Sequence, residues 1–222
     1  MDRLPIPRVL GPVDDLRRWL RILSILDACH WVGLAPIITT SLHVIVYLAE
    51  ALSPAWNLKA MDGKVLKQST APYYPLLQKD TNRLIGMGLI RVNALEKGFS
   101  DKGDPVFLPK ISLELQKTDQ ILKTLRELPD EELMFIFFRE VVQAFSRLSD
   151  QQVPTSMKED ATYGDPAVDI GQVIDLGEWL STDNTATSQA IDQIRNFSGY
   201  SINPAETIDI YVDHIFKRVS HG

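Results

Sequence analysis

The segment from Gly33 to Val92, GLAPIITTSLHVIVYLAEALSPAWNLKAMDGKVLKQSTAPYYPLLQKDTNRLIGMGLIRV, decides how the rest of the chain is read. Thr39 or Thr40, followed by Leu42, Ile45, Val46, Leu48 and Ala49, reads as a capped helix reaching about Leu52, where Ser53-Pro54 stops it. Pro75 stands at the first-turn position that prolines favour, opening a further helix. Tyr74, Leu77, Leu84 and Ile85 keep its apolar stripe, while Gln78, Lys79, Asn82 and Arg83 face away. Gly86 and Gly88 end it, and Leu89-Ile90-Arg91-Val92 reads as a strand. The connection between the two helices, AWNLKAMDGKVLKQSTAPYYP, is long for a loop inside a compact domain. Its Trp56, Leu58, Val65, Leu66, Tyr73 and Tyr74 predict that it folds down onto the domain, with a turn at Asp62-Gly63 and a short strand or helical turn over 64–67.

Working outward, residues 1–13 are Pro-rich and read as an extended arm. Asp14 or Asp15 caps a first helix whose stripe is Leu16, Trp19, Leu20, Leu23, Leu26 and Trp31, ended by Gly33. Beyond Val92, EKGFSDKGD reads as a turn-rich link and Pro105–Leu108 as a returning strand. Three helices followed by a two-stranded hairpin is the element order of a winged-helix domain, here over 14–110. Residues 111–149 read as a helical pair, broken and recapped at Pro129-Asp130, whose second member is apolar over more than half its circumference. Residues 150–169 are polar, with two prolines, and read as a linker or loop. Residues 170–222 read as a small helical region with short helices near 171–181, 185–197 and 204–219. The expected fold is mainly α with a small β wing: a winged-helix-like N-terminal domain followed by a helical region.

Charge is unevenly spread. Residues 1–53 carry five basic and five acidic side chains, 54–100 seven and three, and 101–222 eleven and twenty-one, so the chain is basic in the middle and acidic behind. Such polarity speaks about partners rather than about fold. No run approaches the roughly 20 apolar residues of a membrane helix, and the first residues lack a signal-peptide core. A single cysteine, Cys29, fits a reducing compartment, so the expected location is cytoplasmic, away from membranes.

No catalytic constellation can be assembled. The chain lacks a phosphate-binding GxxxxGK[ST], a GxSxG elbow, an HExxH and a CxxC, and its four histidines are scattered. Adjacent Cys29 and His30 point about 100° apart on a helix, and His43 has no partner at ligand spacing, which makes it a packed or capping residue. Asp209 and Asp213 share a helix face as a solvated pair. A non-enzymatic protein without cofactor or metal is therefore expected. Lys64, Lys67, Lys79, Arg83 and Arg91 surround the Pro75 helix and are the candidate DNA-binding residues, since phosphates need cations within reach. A net excess of four positive charges within a chain of net charge −6 makes docking to protein at least as strong a reading as DNA contact. Phe137, Phe138, Tyr211 and Ile215, on the apolar stripes of the rear helices, are the candidate partner-binding residues.

The run LHVIVYLAEALSPAW…MDGKVLK…PYYPLLQKDTNRLIGMGLIRV resembles the LmuC-like small accessory subunits of Lamassu-type, three-component bacterial defence systems, over roughly residues 15–95. The resemblance is strongest at Asp62-Gly63-Lys64 and from Tyr74-Pro75 to Leu84-Ile85-Gly86-Met87-Gly88-Leu89. It implies a subunit that bridges the heads of an SMC-like ABC ATPase and restrains an effector nuclease in anti-phage or anti-plasmid defence, with DNA contact inside the complex. It brings no catalytic residues. The small winged-helix subunits of condensin-like or Wadjet-type SMC complexes form a neighbouring alternative, weakened here by an acidic second half without a second wing. A free-standing winged-helix transcriptional regulator is the other.

Overall fold

Helix α2 (Thr39–Leu52) is buried on all sides, every residue but Thr40 being inaccessible, as its apolar composition around the whole circumference requires. It enters from Ile38 in extended conformation without a side-chain cap, so the expected threonine cap is replaced by Thr39 as the first helical residue. The computed structural model describes residues 12–58, 63–99, 103–148, 152–176, 185–197 and 202–221. Around α2 the chain is mainly helical with a small antiparallel sheet.

Helix α1 (Pro12–Val32) begins with a proline in its first turn and places Asp14 and Asp15 at the positive end of its dipole. Residues 1–11 of the expected arm lie outside the described residues. The helix buries Ile22, Leu23, Ile25, Leu26 and Cys29, whereas Leu16 and Trp31 are exposed. The buried stripe is thus wider in its middle and absent at its ends. Gly33, at a φ of 81°, closes the helix in the left-handed region that suits glycine. Strand β1 (Ile37–Ile38) follows.

After a short 3-10 turn at Ser53–Trp56 come β2 (Lys64–Leu66), α3 (Pro75–Gly86), β3 (Ile90–Phe99) and β4 (Pro105–Leu113). The sheet order is β1-β4-β3, all antiparallel, with a bulge between Val92 and Ala94. The hairpin is longer than the sequence implies. Much of the expected turn-rich link is strand, and β4 continues through Ile111, which pairs with Ile37 and Val92 and is fully buried. A boundary at residue 110 therefore falls inside a strand, and the following helix α4 (Leu115–Arg126) starts four residues later than its apolar pattern suggests.

Helix α5 (Pro129–Phe145) packs on α1, α2 and α4. The expected linker holds a helix, α6 (Val153–Glu159), and the expected helix near 171–181 holds a strand, β5 (Val173–Asp175). Strand β5 pairs antiparallel with β2, Val65 opposite Ile174, and so ties the long α2–α3 connection to the rear of the chain. Helices α7 (Ala186–Phe197) and α8 (Pro204–His221) match their expected ranges and pack on each other, with α8 also against α5 and α6.

A buried carboxylate fixes this rear layer. Asp160, just past α6, accepts hydrogen bonds from the Tyr47 hydroxyl of α2 at 2.5 Å, the Tyr211 hydroxyl of α8 at 2.7 Å and the Tyr163 amide at 2.7 Å. Thr187 of α7 donates to it at 3.3 Å. Burial without a formal counter-charge is tolerated because every lone pair has a donor. At the surface, Arg147 reaches both Asp209 and Asp213, so the acidic pair read as solvated clamps α8 to the end of α5.

Candidate interaction surface

The N-terminus of α3 is set by a histidine. His43 of α2 accepts the Tyr74 backbone N–H on Nδ1 at 3.0 Å, stacks on Tyr73 at 5.1 Å between ring centroids, and lies 3.3 Å from the Gln78 amide oxygen through Nε2. With Nδ1 accepting, Nε2 carries the proton and donates to Gln78. Burial pushes the His43 pKa down to about 4, so the ring is neutral and fixed in this tautomer. His43 is thus a capping residue, but of α3 rather than of its own helix.

Two further contacts choose which side of α3 faces out. Asp80, the only carboxylate of the helix, is 2% exposed and accepts from Arg18 Nε at 2.8 Å and from Trp19 Nε1 at 2.9 Å. Arg83 lies over the Trp19 ring, 5.3 Å from its centroid. The outward face then holds Lys79, Asn82, Arg83 and Met87, with cations and an amide but no acid.

Three of the five candidate DNA-binding cations are engaged within the chain. Lys67 is structural: its ammonium donates to the Asp165 and Val168 carbonyls at 2.8 Å each and stands over the Tyr163 ring. Lys64 pairs with Asp175 at 3.2 Å, and Arg91 is held by Glu114 at 2.6 Å. Lys79 and Arg83 remain, making no ion pair among the described residues. The candidate partner residues are corrected outright. Phe137, Phe138, Tyr211 and Ile215 are buried in this chain's own core, with Phe137 against Trp56 and Phe138 and with Tyr211 on Asp160. Their stripes found partners within the chain, because α5 and α8 face one another.

What the sequence reading missed is the length of the hairpin and the apolar face it exposes. Leu95, Phe99 and Phe107 are 62%, 64% and 75% exposed. The register sets Leu95 opposite Pro109, Lys97 opposite Phe107 and Phe99 opposite Pro105, so all six share one face. Lys97 sits 5.8 Å from the Phe99 ring centroid. Glu96 and Lys110 pair on the other face at 2.6 Å. The available signal was the alternation of Leu95, Lys97 and Phe99, hidden by reading Gly98 as turn rather than as strand.

Cys29 is buried and its thiol pKa is pushed up to about 12, far from a thiolate nucleophile. Among the described residues no group of three or more His, Cys, Asp or Glu side chains could hold a metal ion, and no helix is long and apolar enough to cross a membrane. Comparison of the chain with protein-family models, with curated proteins and with solved structures returned no match.

Proposed function

We propose that this protein is a non-enzymatic accessory subunit, with a winged-helix N-terminal half, that docks on a larger assembly. The element order α1-β1-α2-α3-β3-β4 with sheet order β1-β4-β3 supports the winged-helix assignment, β3–β4 being the wing and α3 the second helix of a helix-turn-helix. One departure is the strand β2 inserted between α2 and α3 and tied to β5.

The observation that carries the docking role is the wing itself. A wing serving only the phosphate backbone needs cations, whereas this one presents Leu95, Phe99 and Phe107 around a single lysine. Exposed contiguous apolar side chains on a projecting element mark protein contact. The resemblance of residues 15–95 to Lamassu-type accessory subunits implies, as partners, an SMC-like ABC ATPase and an effector nuclease in anti-phage or anti-plasmid defence. Co-expression with the ATPase and nuclease of the neighbouring genes tests this. Co-purification that is lost with Phe99→Ser and Phe107→Ser supports it, and a chain that purifies alone and captures no ATPase rejects it.

A second reading, direct DNA contact within the complex or by a free-standing regulator, is favoured by the acid-free outward face of α3. Lys79, Asn82 and Arg83 are suited to phosphate and base-edge contacts. Duplex binding that disappears with Lys79→Ala and Arg83→Ala together supports it; binding indifferent to both removes it.

A further inference from the structure

A cavity of about 300 Å³ lies between α1, α2, the first turn of α3 and the β2–β5 pair, away from both the wing and the outward face of α3. Its walls are Ile22, Val46, Leu66, Leu77, Val173 and Tyr74. Protein interiors leave few voids larger than a water molecule. The pocket opens to solvent on one side, and its largely apolar lining offers water few hydrogen-bond partners. Two cations, Arg18 and Lys64, also line it. Both are committed: Arg18 to Asp15 and Asp80, Lys64 to Asp175. No unmatched charge is left to receive an anion, so the occupant these walls favour is neutral. The volume, at the lower end of small-molecule pockets, fits a one- or two-ring aromatic or a branched aliphatic compound. Val173, 60% exposed, and Lys64 stand on the solvent side and give access.

We propose that this cavity is a binding site for a small, neutral, apolar ligand. It is also placed to be an effector site. Its walls include Tyr74, Pro75, Leu76 and Leu77, the start of the helix whose outward face carries Lys79 and Arg83. A ligand seated there joins that turn to α1, α2 and the β2–β5 pair, so occupancy restrains α3 without touching its outer surface. The inference stands apart from the docking role, since it uses neither the wing nor a partner protein.

The test uses the full chain with indole as the neutral bicyclic probe and indole-3-acetate as the anionic molecule of the same ring, followed by ligand-observed NMR and calorimetry. Indole is expected to bind one saturable site, and indole-3-acetate about tenfold more weakly or worse. Val173→Trp, which closes the mouth from an exposed position, and Val46→Phe, which fills the cavity from within, are each expected to weaken indole by about tenfold or more. Val173→Trp decides the matter even if Val46→Phe does not fold. Absence of saturable indole binding overturns the proposal, as does unchanged affinity in Val173→Trp. Preference for indole-3-acetate overturns the neutral class.

Discussion

Arg18 on α1 donates its Nε–H to Asp80 on α3 across 2.8 Å, and this buried pair settles which face α3 turns outward. Asp80 would otherwise be the one negative charge on a helix whose other charged side chains, Lys79 and Arg83, are cations. Its inward position is held by a second donor, the Trp19 indole, and Arg18 is steadied in turn by Asp15 at 2.5 Å. Removing one member of a buried pair leaves the other uncompensated. Asp80→Ala is expected to lower stability by about 3 kcal/mol in urea titration, the low end for a buried pair because Arg18 keeps Asp15. Asp80→Asn, which still accepts from Trp19, should cost about half as much.

His43 gives stability a pH dependence. Its pKa in the fold is about 4 against 6.5 for the free side chain. Between those values the unfolded chain holds more protons than the fold, so stability falls as pH drops. The contribution is fully present above about pH 6.5 and is lost as the pH falls to about 4, a change of about 3 kcal/mol. Carboxylates titrate in the same range, so the comparison is between the wild-type chain and His43→Gln. The variant's stability-against-pH curve should be flatter over that interval. Equal slopes would mean that the imidazole is not held neutral.

The Asp160 hub makes a graded prediction. Asp160→Ala takes the acceptor from the buried Tyr47 and Tyr211 hydroxyls, while Thr187 keeps Thr162 as partner, and is expected to cost at least about 3 kcal/mol. Tyr211→Phe removes one donor from a carboxylate that keeps others and should cost about 1–2 kcal/mol. Burial and the adjacent carboxylate raise the pKa of both tyrosines, so neither ionises in the folded chain at ordinary alkaline pH. Absorbance titration should show them ionising only on unfolding.

The basic side chains separate into two classes. Lys67→Ala removes hydrogen bonds to two carbonyls of the 165–168 turn and should lower stability by about 1–2 kcal/mol. Lys79→Ala and Arg83→Ala should each leave stability within about 1 kcal/mol, the small loss at Arg83 being its stacking on Trp19. If duplex DNA is bound, each of these two changes lowers the slope of log affinity against log salt by about one. Thermal melts alongside salt-dependent binding read both outcomes.

On the β3–β4 hairpin, Phe99→Ser and Phe107→Ser remove apolar surface that the chain does not bury. Stability should stay within about 0.5 kcal/mol, solubility should rise, and capture of the partner should drop together with both changes. A matching loss of stability would show that the face packs within this chain instead.

Much of this was written in local chemistry. Pro75 and Pro204 open their helices, Gly33 and Gly88 at positive φ follow the ends of α1 and α3, and the helix expected near 185–197 is α7. These signals act over one or two turns, and sequence spacing carries them without reference to the rest of the chain. The cap of α3 was not legible, because His43 reaches it across 31 positions. Strand β5 was not legible either: Val173-Ile174-Asp175 is short, and its partner β2 lies more than a hundred residues earlier.

The sequence by itself determined the helical class, the hairpin after α3, the charge polarity and the lack of an assembled catalytic motif, since each depends on residue type and near spacing. Tertiary structure alone decided which apolar stripes remained free. Phe137, Phe138, Tyr211 and Ile215 had the same sequence signature as a docking surface, but α5 and α8 buried them against each other and against α2. Phe99 looked like part of a link, and Leu95 and Phe107 were given no surface role, yet a long hairpin left all three in solvent. The physical reason is that apolar periodicity fixes that a face must be covered, whereas only the packed chain fixes by what.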